Sequence, residues 1–335
     1  MNRPFLHAAV PMVPALALAS LLGGCMNNFS PPWLVERTRI VAARVSVDAD
    51  DTLAWPSPGD AVHVDWVVLT PAAPEPVAAT FIACAPLPGS RGGPACIPGS
   101  LVVLPPRAPG VEPLVTALTV PGVDALSGAT SLLVVGAVCA GGGTPAIMGP
   151  SLTTPPECEG GSEPRTADLV TLSIPLVTDP ALANRHPSVR EEDWTLDGQP
   201  WAAFEGELPY ENCAARTPDG SLPRLTITVD RKPVVTIGWS EDDRETYTTV
   251  TGDPPAPVTR DEVLQYSHFT TAGKLSRANS AIDDTVASGA PATVDWTFPL
   301  AEDVPPEGLL VRMSVVVRDG RGGVDRAERA VCVVR

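Results

Sequence analysis

Val62-His63-Val64-Asp65-Trp66-Val67-Val68 decides the fold. Val62, Val64, Trp66 and Val68 fall on one side of an extended chain, with His63 and Asp65 on the other, which is the period-2 pattern of a half-buried strand. The same alternation puts Val41, Ala43, Val45 and Val47 on one face, and later Val170, Leu172, Ile174 and Leu176. Ser131 to Cys139 is nearly all apolar, as a central strand covered on both faces requires. Between these runs stand turn signals such as Pro56-Ser57-Pro58-Gly59 and Pro105-Pro106-Arg107-Ala108-Pro109-Gly110. Proline cannot donate to a ladder, so these segments read as loops or edges between short antiparallel strands.

A polar, Pro-flanked stretch at residues 178–187 interrupts the pattern, which then resumes. Leu225, Ile227 and Val229 alternate, Asp230-Arg231-Lys232-Pro233 turns, and Val235, Ile237 and Trp239 alternate again. Val311, Met313, Val315 and Val317 make a further strand. One segment reads as helix: Thr259 with Glu262 three residues on has the form of a capping box, followed by Val263, Leu264 and Tyr266. The expected fold is all-β, with two immunoglobulin-like antiparallel β-sandwich domains over residues 37–178 and 179–335.

Composition excludes several functions. The chain has 335 residues and a formal net charge of −16, and both halves are acidic. A nucleic-acid binder needs a basic face to displace counterions from phosphates, and electrostatic attachment to anionic lipid needs the same. Proline and glycine make up 67 residues, but 44% of the chain is apolar, enough for packed cores.

Residues 1–24 contain Arg3 as their single base and no acid, and an apolar run extends from Phe5 to Leu22. This is a signal-type segment, and Pro11 and Pro14 disfavour a stable spanning helix. It ends in Leu22-Gly23-Gly24-Cys25, which resembles the lipobox of bacterial lipoproteins. The resemblance implies a signal peptide over 1–24 and cleavage between Gly24 and Cys25. It also implies acylation of the Cys25 thiol and amine, with residues 25–36 as a lipidated tether. Met26 stands where an Asp would favour inner-membrane retention, so the resemblance points to the outer membrane. The expected partners are the membrane, through the lipid, and an envelope protein or polysaccharide.

With Cys25 assigned to lipid, six cysteines remain: Cys84, Cys96, Cys139, Cys158, Cys213 and Cys332. An even set in an oxidising compartment reads as three disulfides among 15 connectivities. In an immunoglobulin-like first domain, the strands ending at Cys84 and Cys139 are antiparallel neighbours, so their sulfurs lie at opposite ends. Bridged Cα atoms must approach within about 4.4–6.8 Å, which favours Cys84–Cys96, Cys139–Cys158 and Cys213–Cys332.

In the second half, Gln265-Tyr266-Ser267-His268-Phe269, Thr271-Ala272-Gly273, Asp295-Trp296-Thr297-Phe298-Pro299 and Val315-Val316-Val317-Arg318-Asp319-Gly320-Arg321-Gly322-Gly323 occur in that order. These segments, about 70 residues, resemble polycystic-kidney-disease-type and cadherin-like sandwiches. His268 or Phe269 stands at the position of the family's strand tryptophan. The resemblance implies a fold and no activity. The lipobox and paired domains are also similar to lipoproteins of GC-rich Gram-negative bacteria that have no assigned activity.

The sequence holds no H-E-x-x-H, no G-x-S-x-G and no phosphate-binding glycine loop. His63 is expected to face solvent, His186 to lie in the linker, and His268 to be a core histidine. Glu191-Glu192-Asp193 reads as surface. Glu241-Asp242-Asp243-Arg244-Glu245 and Asp48-Ala49-Asp50-Asp51 could offer hard oxygen ligands to calcium, but no EF-hand spacing accompanies them, and solvated acidic loops are the expectation. Asp243-Arg244-Glu245 looks like one cadherin ligand motif. Trp194 and Trp201 flank Asp197-Gly198 on an expected surface loop, where they could stack on sugars, although core packing is the stronger expectation. The expectation is a non-catalytic binding or scaffolding lipoprotein without metal or cofactor. The alternative is a hydrolase or carbohydrate-binding accessory acting on envelope or extracellular polymers.

Overall fold

The computed structural model describes residues 30–88, 95–146, 155–161, 165–179, 182–215, 222–228, 231–287 and 289–335. The signal segment, Gly24 and Cys25 lie outside the described residues, as do Val229, Asp230 and the turn residues 89–94. Residues 32–335 form one compact unit; of the other unit, residues 1–31, only Ser30 and Pro31 are described.

The protein is an all-β antiparallel sandwich fold. Its first half builds β1 (Arg39–Val47), β2 (Ala61–Leu69), β3 (Val77–Cys84), β4 (Val102–Val103), β5 (Arg107–Gly110) and β6 (Leu114–Thr119). It continues with β7 (Ser131–Ala140), β8 (Thr144–Pro145), β9 (Glu157–Glu159), β10 (Arg165–Thr166) and β11 (Asp168–Pro175). One sheet runs β1-β2-β6 and the facing one β11-β7-β3-β4, with β5 also on β3. The alternating residues Val45, Val62, Val64, Trp66 and Ile174 meet in the core between the sheets. There the Trp66 and Phe81 rings stack at 4.8 Å. Phe81 lies opposite Gly136, and a Cβ at Gly136 would stand 2.3 Å from the Phe81 ring, so only glycine fits there.

The continuous apolar run of β7 has a specific cause. Leu132 and Val134 enter the main core, whereas Leu133 and Val135 point the other way onto the Cys84–Cys96 loop. Ala137 likewise meets the Cys139–Cys158 loop. The disulfide loops therefore cover the second face of the strand.

The second half builds β12 (Thr195–Leu196), β13 (Gln199–Pro200), β14 (Arg224–Thr226), β15 (Val234–Ile237), β16 (Thr246–Thr251) and β17 (Ala256–Asp261). It continues with β18 (Leu264–Thr270), β19 (Lys274–Leu275), β20 (Asn279–Ile282), β21 (Ala292–Thr297), β22 (Leu309–Arg318) and β23 (Val324–Val334). Its sheets are β13-β12-β15-β21-β19 and β14-β23-β22-β18-β20, with β16 and β17 pairing as a separate ribbon. Every hydrogen-bonded sheet takes its strands from one side of residues 178–187.

Two expectations are corrected. No helix forms at Thr259–Tyr266: residues 256–261 are strand β17 and 264–270 strand β18. Burying Leu264, Tyr266, His268 and Thr270 on one face demands period 2, and this outweighs the local cap signal. The tether expected over 25–36 does not extend to residue 36. Thr270 donates its N–H to the Trp33 carbonyl at 2.8 Å and accepts the Val35 N–H at 2.9 Å, fixing residues 33–35 beside β18.

Candidate functional site

Four even-numbered residues of β22 (Arg312, Ser314, Val316 and Arg318) point away from the second core, where the sequence pattern alone suggests solvent. They meet the first half instead. Val316 and Val324 pack with Val67 and Leu69 of β2 in a shared apolar cluster. Arg312 donates to the Thr70 carbonyl, to Thr70 Oγ1 at 2.8 Å and to the Ala72 carbonyl at 2.8 Å. Arg318 donates to the Val41 carbonyl at 2.6 Å, and Arg326 pairs with Asp65 at 3.5 Å.

The linker is part of this seam. Ala54 donates its N–H to the Asn184 carbonyl at 2.8 Å, and His186 donates its N–H to the Thr52 carbonyl at 2.8 Å. The His186 ring joins both halves, with Nδ1 accepting the Val324 N–H at 3.0 Å and Nε2 lying 2.6 Å from the Val45 carbonyl. Accepting at Nδ1 and donating at Nε2 requires the neutral ring, and burial, followed by the Arg44 charge, lowers its pKa accordingly.

The β22–β23 turn forms a charged knot. Asp319 Oδ1 accepts the N–H groups of Arg321, Gly322 and Gly323 at 2.7, 3.0 and 2.9 Å. Its Oδ2 accepts from the Asn184 amide at 2.6 Å. A Cβ at Gly323 would lie 2.0 Å from Asp319 Oδ2, so this turn needs glycine. The Arg321 guanidinium sits between the rings of Trp55 and Tyr247, at 4.8 and 4.5 Å. It reaches Glu262 Oε1 at 2.7 Å and Glu245 Oε2 at 3.4 Å. Burial and then the Asp319 charge push the Glu262 carboxyl up to about 7. A carboxyl with that pKa could exchange protons at neutral pH, but its side chain is 1% exposed and held by Arg321.

The other residues singled out in the sequence are dispersed. His63 is exposed and pairs with Asp48 at 2.6 Å. Asp50 accepts from Thr52 within its own turn, and Glu191–Asp193 is a short 3-10 turn. Asp243 caps the Ser240 N–H at 2.7 Å, Arg244 pairs with Asp284 at 2.6 Å, and Glu245 belongs to the knot. The triplet therefore converges on no common point. Among the described residues no group of three or more His, Cys, Asp or Glu could hold a metal ion. Trp194 and Trp201 are not on a surface loop. They are 0% and 1% exposed and meet edge-to-face at 6.1 Å, with the Trp201 Nε1–H on the Ala330 carbonyl at 2.9 Å. The disulfides are Cys84–Cys96, Cys139–Cys158 and Cys213–Cys332.

His268 is 2% exposed, with Nε2 2.9 Å from Ser280 Oγ. Burial, then the Arg277 charge, lowers its pKa to about 4. The unfolded chain takes up this proton near pH 6.5, roughly the free-histidine value. Stability from this residue therefore falls as pH drops from about 6.5 to about 4, by up to roughly 3 kcal/mol. Glu262 has the opposite sign: its raised pKa makes its contribution fall as pH rises from about 4.5 to about 7. His268→Phe isolates the first effect. In urea titrations the variant should gain about 2–3 kcal/mol on its parent between pH 7 and pH 4. A pH-independent difference would show that the folded imidazole titrates normally.

A cleft of about 350 Å³ opens beside the knot, between β1 and β11, with Arg318 and Gly322 on its second-half wall. No helix among the described residues is long and apolar enough to cross a membrane.

The chain matches no protein-family profile and no curated protein sequence. Among solved structures it is similar to red sea bream transglutaminase, at 11% identity over 89% of this chain, with a TM-score of 0.21. The match covers 32% of that protein's chain, so this sequence spans about a third of its length. A likeness this slight bears on neither fold nor activity.

Proposed function

We propose that the chain is a non-catalytic envelope lipoprotein, acylated at Cys25 and directed to the outer membrane, whose joined sandwiches serve as a binding or scaffolding module. The observation supporting this reading is the seam. Arg312, Arg321, His186 and Trp55 make contacts across the two halves, and Glu262 holds the Arg321 guanidinium from the second-half side. Such a seam gives a rigid presenting surface. The carbohydrate-binding alternative loses its aromatic platform, because Trp194 and Trp201 are interior.

The lipobox is tested by labelling. Cys25→Ser should abolish incorporation of labelled palmitate and move the protein out of the membrane fraction, since several acyl chains at about 0.8 kcal/mol per buried methylene supply the attachment. Palmitate labelling that persists in the variant would refute acylation at this residue. The module reading is tested with photoreactive residues at the exposed positions Val103, Thr171 and Val258. Discrete adducts with one envelope component are expected. Release of soluble fragments from isolated envelopes by the purified protein would overturn the non-catalytic assignment.

A further inference from the structure

Residues 40–43 of β1 and 170–175 of β11 line the junction cleft as unbroken runs. Successive side chains of a regular strand point to opposite faces, so the unbroken run of β11 borders the cleft because that strand presents its edge there, while the β1 run spans the register irregularity between Ile40 and Ala42. Both strands are terminal in their sheets, β1 in β1-β2-β6 and β11 in β11-β7-β3-β4. Two edges thus face one space, and a free edge carries backbone N–H and C=O groups able to pair with another chain. The partly exposed Ile40, Val41, Val170 and Leu172 give the cleft apolar walls, and its volume of about 350 Å³ falls in the range of binding pockets.

Arg318 supplies the chemistry. It lines the cleft and donates to Ser267 Oγ at 3.0 Å and to the Val41 carbonyl at 2.6 Å. Both acceptors are neutral, and among the described residues no carboxylate forms an ion pair with it. Burial lowers its pKa without an offsetting charge. A guanidinium in this setting favours a carboxylate partner. Because Val41 lies inside β1 rather than at its end, a strand can run past Arg318 in both directions, which suits an acidic side chain better than a chain terminus.

Building on the binding-module reading, we propose that this cleft accepts an extended segment of a partner protein by strand addition to the β11 edge, with an Asp or Glu side chain of that segment on Arg318. Backbone pairing then supplies affinity, and alternate side chains and the acid supply selectivity.

The test uses the full chain and fluorescein-labelled Thr-Val-Thr-Glu-Val-Thr-Val, capped at its C-terminus as an amide, in fluorescence anisotropy. Saturable binding with a Kd below about 1 mM is expected. It should weaken at least tenfold when the peptide glutamate becomes glutamine, and at least tenfold when alternate peptide nitrogens are methylated, which removes ladder donors. Arg318→Gln should reproduce the glutamine effect. The two peptide controls use unaltered protein, so they decide the matter even if that variant folds poorly. Absence of saturable binding overturns the proposal. So does binding indifferent to methylation, or matched by laurate competing at equal concentration, because either result describes an apolar-anion pocket instead of a strand site. If the peptide fails while an envelope component still cross-links at Val103 or Val258, the cleft assignment falls and the module reading stands.

Discussion

Replacing both Cys213 and Cys332 with alanine should lower the unfolding free energy by about 4–5 kcal/mol, read from the urea midpoint at constant slope. The bridge joins residues 119 apart, and in the chain-entropy treatment the stabilisation grows with the logarithm of the closed loop. It also anchors a stretch with little ladder of its own. Between β13 and β14 the described chain forms no strand, and β14 itself is a three-residue strand laid parallel to β23 beside Cys332. The sulfurs pack with Leu222, Ala330 and Val334 in a small separate core. Gly308 at φ +84° approaches both sulfurs, its Cβ position lying 2.9 Å from each. Amide exchange should therefore accelerate first in residues 208–215 and 222–226. The Cys84–Cys96 and Cys139–Cys158 bridges close separations of only 12 and 19, so their double-alanine variants should lose less, about 3 kcal/mol. If removing either short bridge costs more than removing the long one, loop entropy is not the governing effect and burial of the β7 outer face is.

Arg312→Ala should cost about 3 kcal/mol and split thermal unfolding into two transitions. The side chain is 7% exposed as a residue and crosses from β22 to the loop after β2. Its loss leaves the Thr70 carbonyl without a donor, the Ala72 carbonyl with the Thr70 hydroxyl alone, and Glu328, 3.6 Å away, without its cation. Removing one partner from a buried charged group costs about 3–5 kcal/mol; the partly exposed Glu328 puts this case at the lower end. Arg312→Lys should recover only part of the loss, because an ammonium cannot span acceptors that the planar fork reaches together. Differential scanning calorimetry distinguishes the outcomes. One transition displaced without splitting would mean that the apolar contact of Val316 and Val324 with β2 is sufficient to couple the halves.

The strands were legible wherever apolar residues recur at every second position, whatever covers the alternate face. The Val62–Val68 and Val311–Val317 alternations become β2 and β22 because period 2 is sufficient evidence for an extended strand. The disulfide pairing was legible for a geometric reason. Cys139 sits opposite Ala78 and Cys84 opposite Leu133 in the antiparallel β3–β7 ladder, so those sulfurs are separated by most of a strand. Where local and tertiary signals competed, the local one misled. Thr259 and Glu262 have helix-cap spacing, yet Glu262 spends its carboxylate on Arg321, 59 residues away. The seam was not legible at all. Arg312, Ser314 and Arg318 are ordinary polar residues on the outer face of a strand, and only the partner surface, more than 240 residues earlier in the chain, turns them inward. The tryptophans were legible in part: core packing, the stronger expectation for Trp194 and Trp201, is what the structure has, whereas the surface placement expected for them gives way to an interior one.

The docking of residues 33–35 beside β18 has a mechanical consequence. Tension applied at residue 32 is met both by Arg39 of β1, which donates to the Pro32 carbonyl at 2.7 Å, and by the hydrogen bonds that join Trp33 and Val35 to Thr270. The load is thus shared at once between a strand of the second sandwich and the first strand of the other. Thr270 is opposite Met313 on β22, next to the arginine that joins the halves, so the pull passes to the strand that carries the seam. A protein strung as separate beads would stretch at its linker under such a pull. Here the hydrogen bonds of residues 32–35 divide the pull between the two halves from the start.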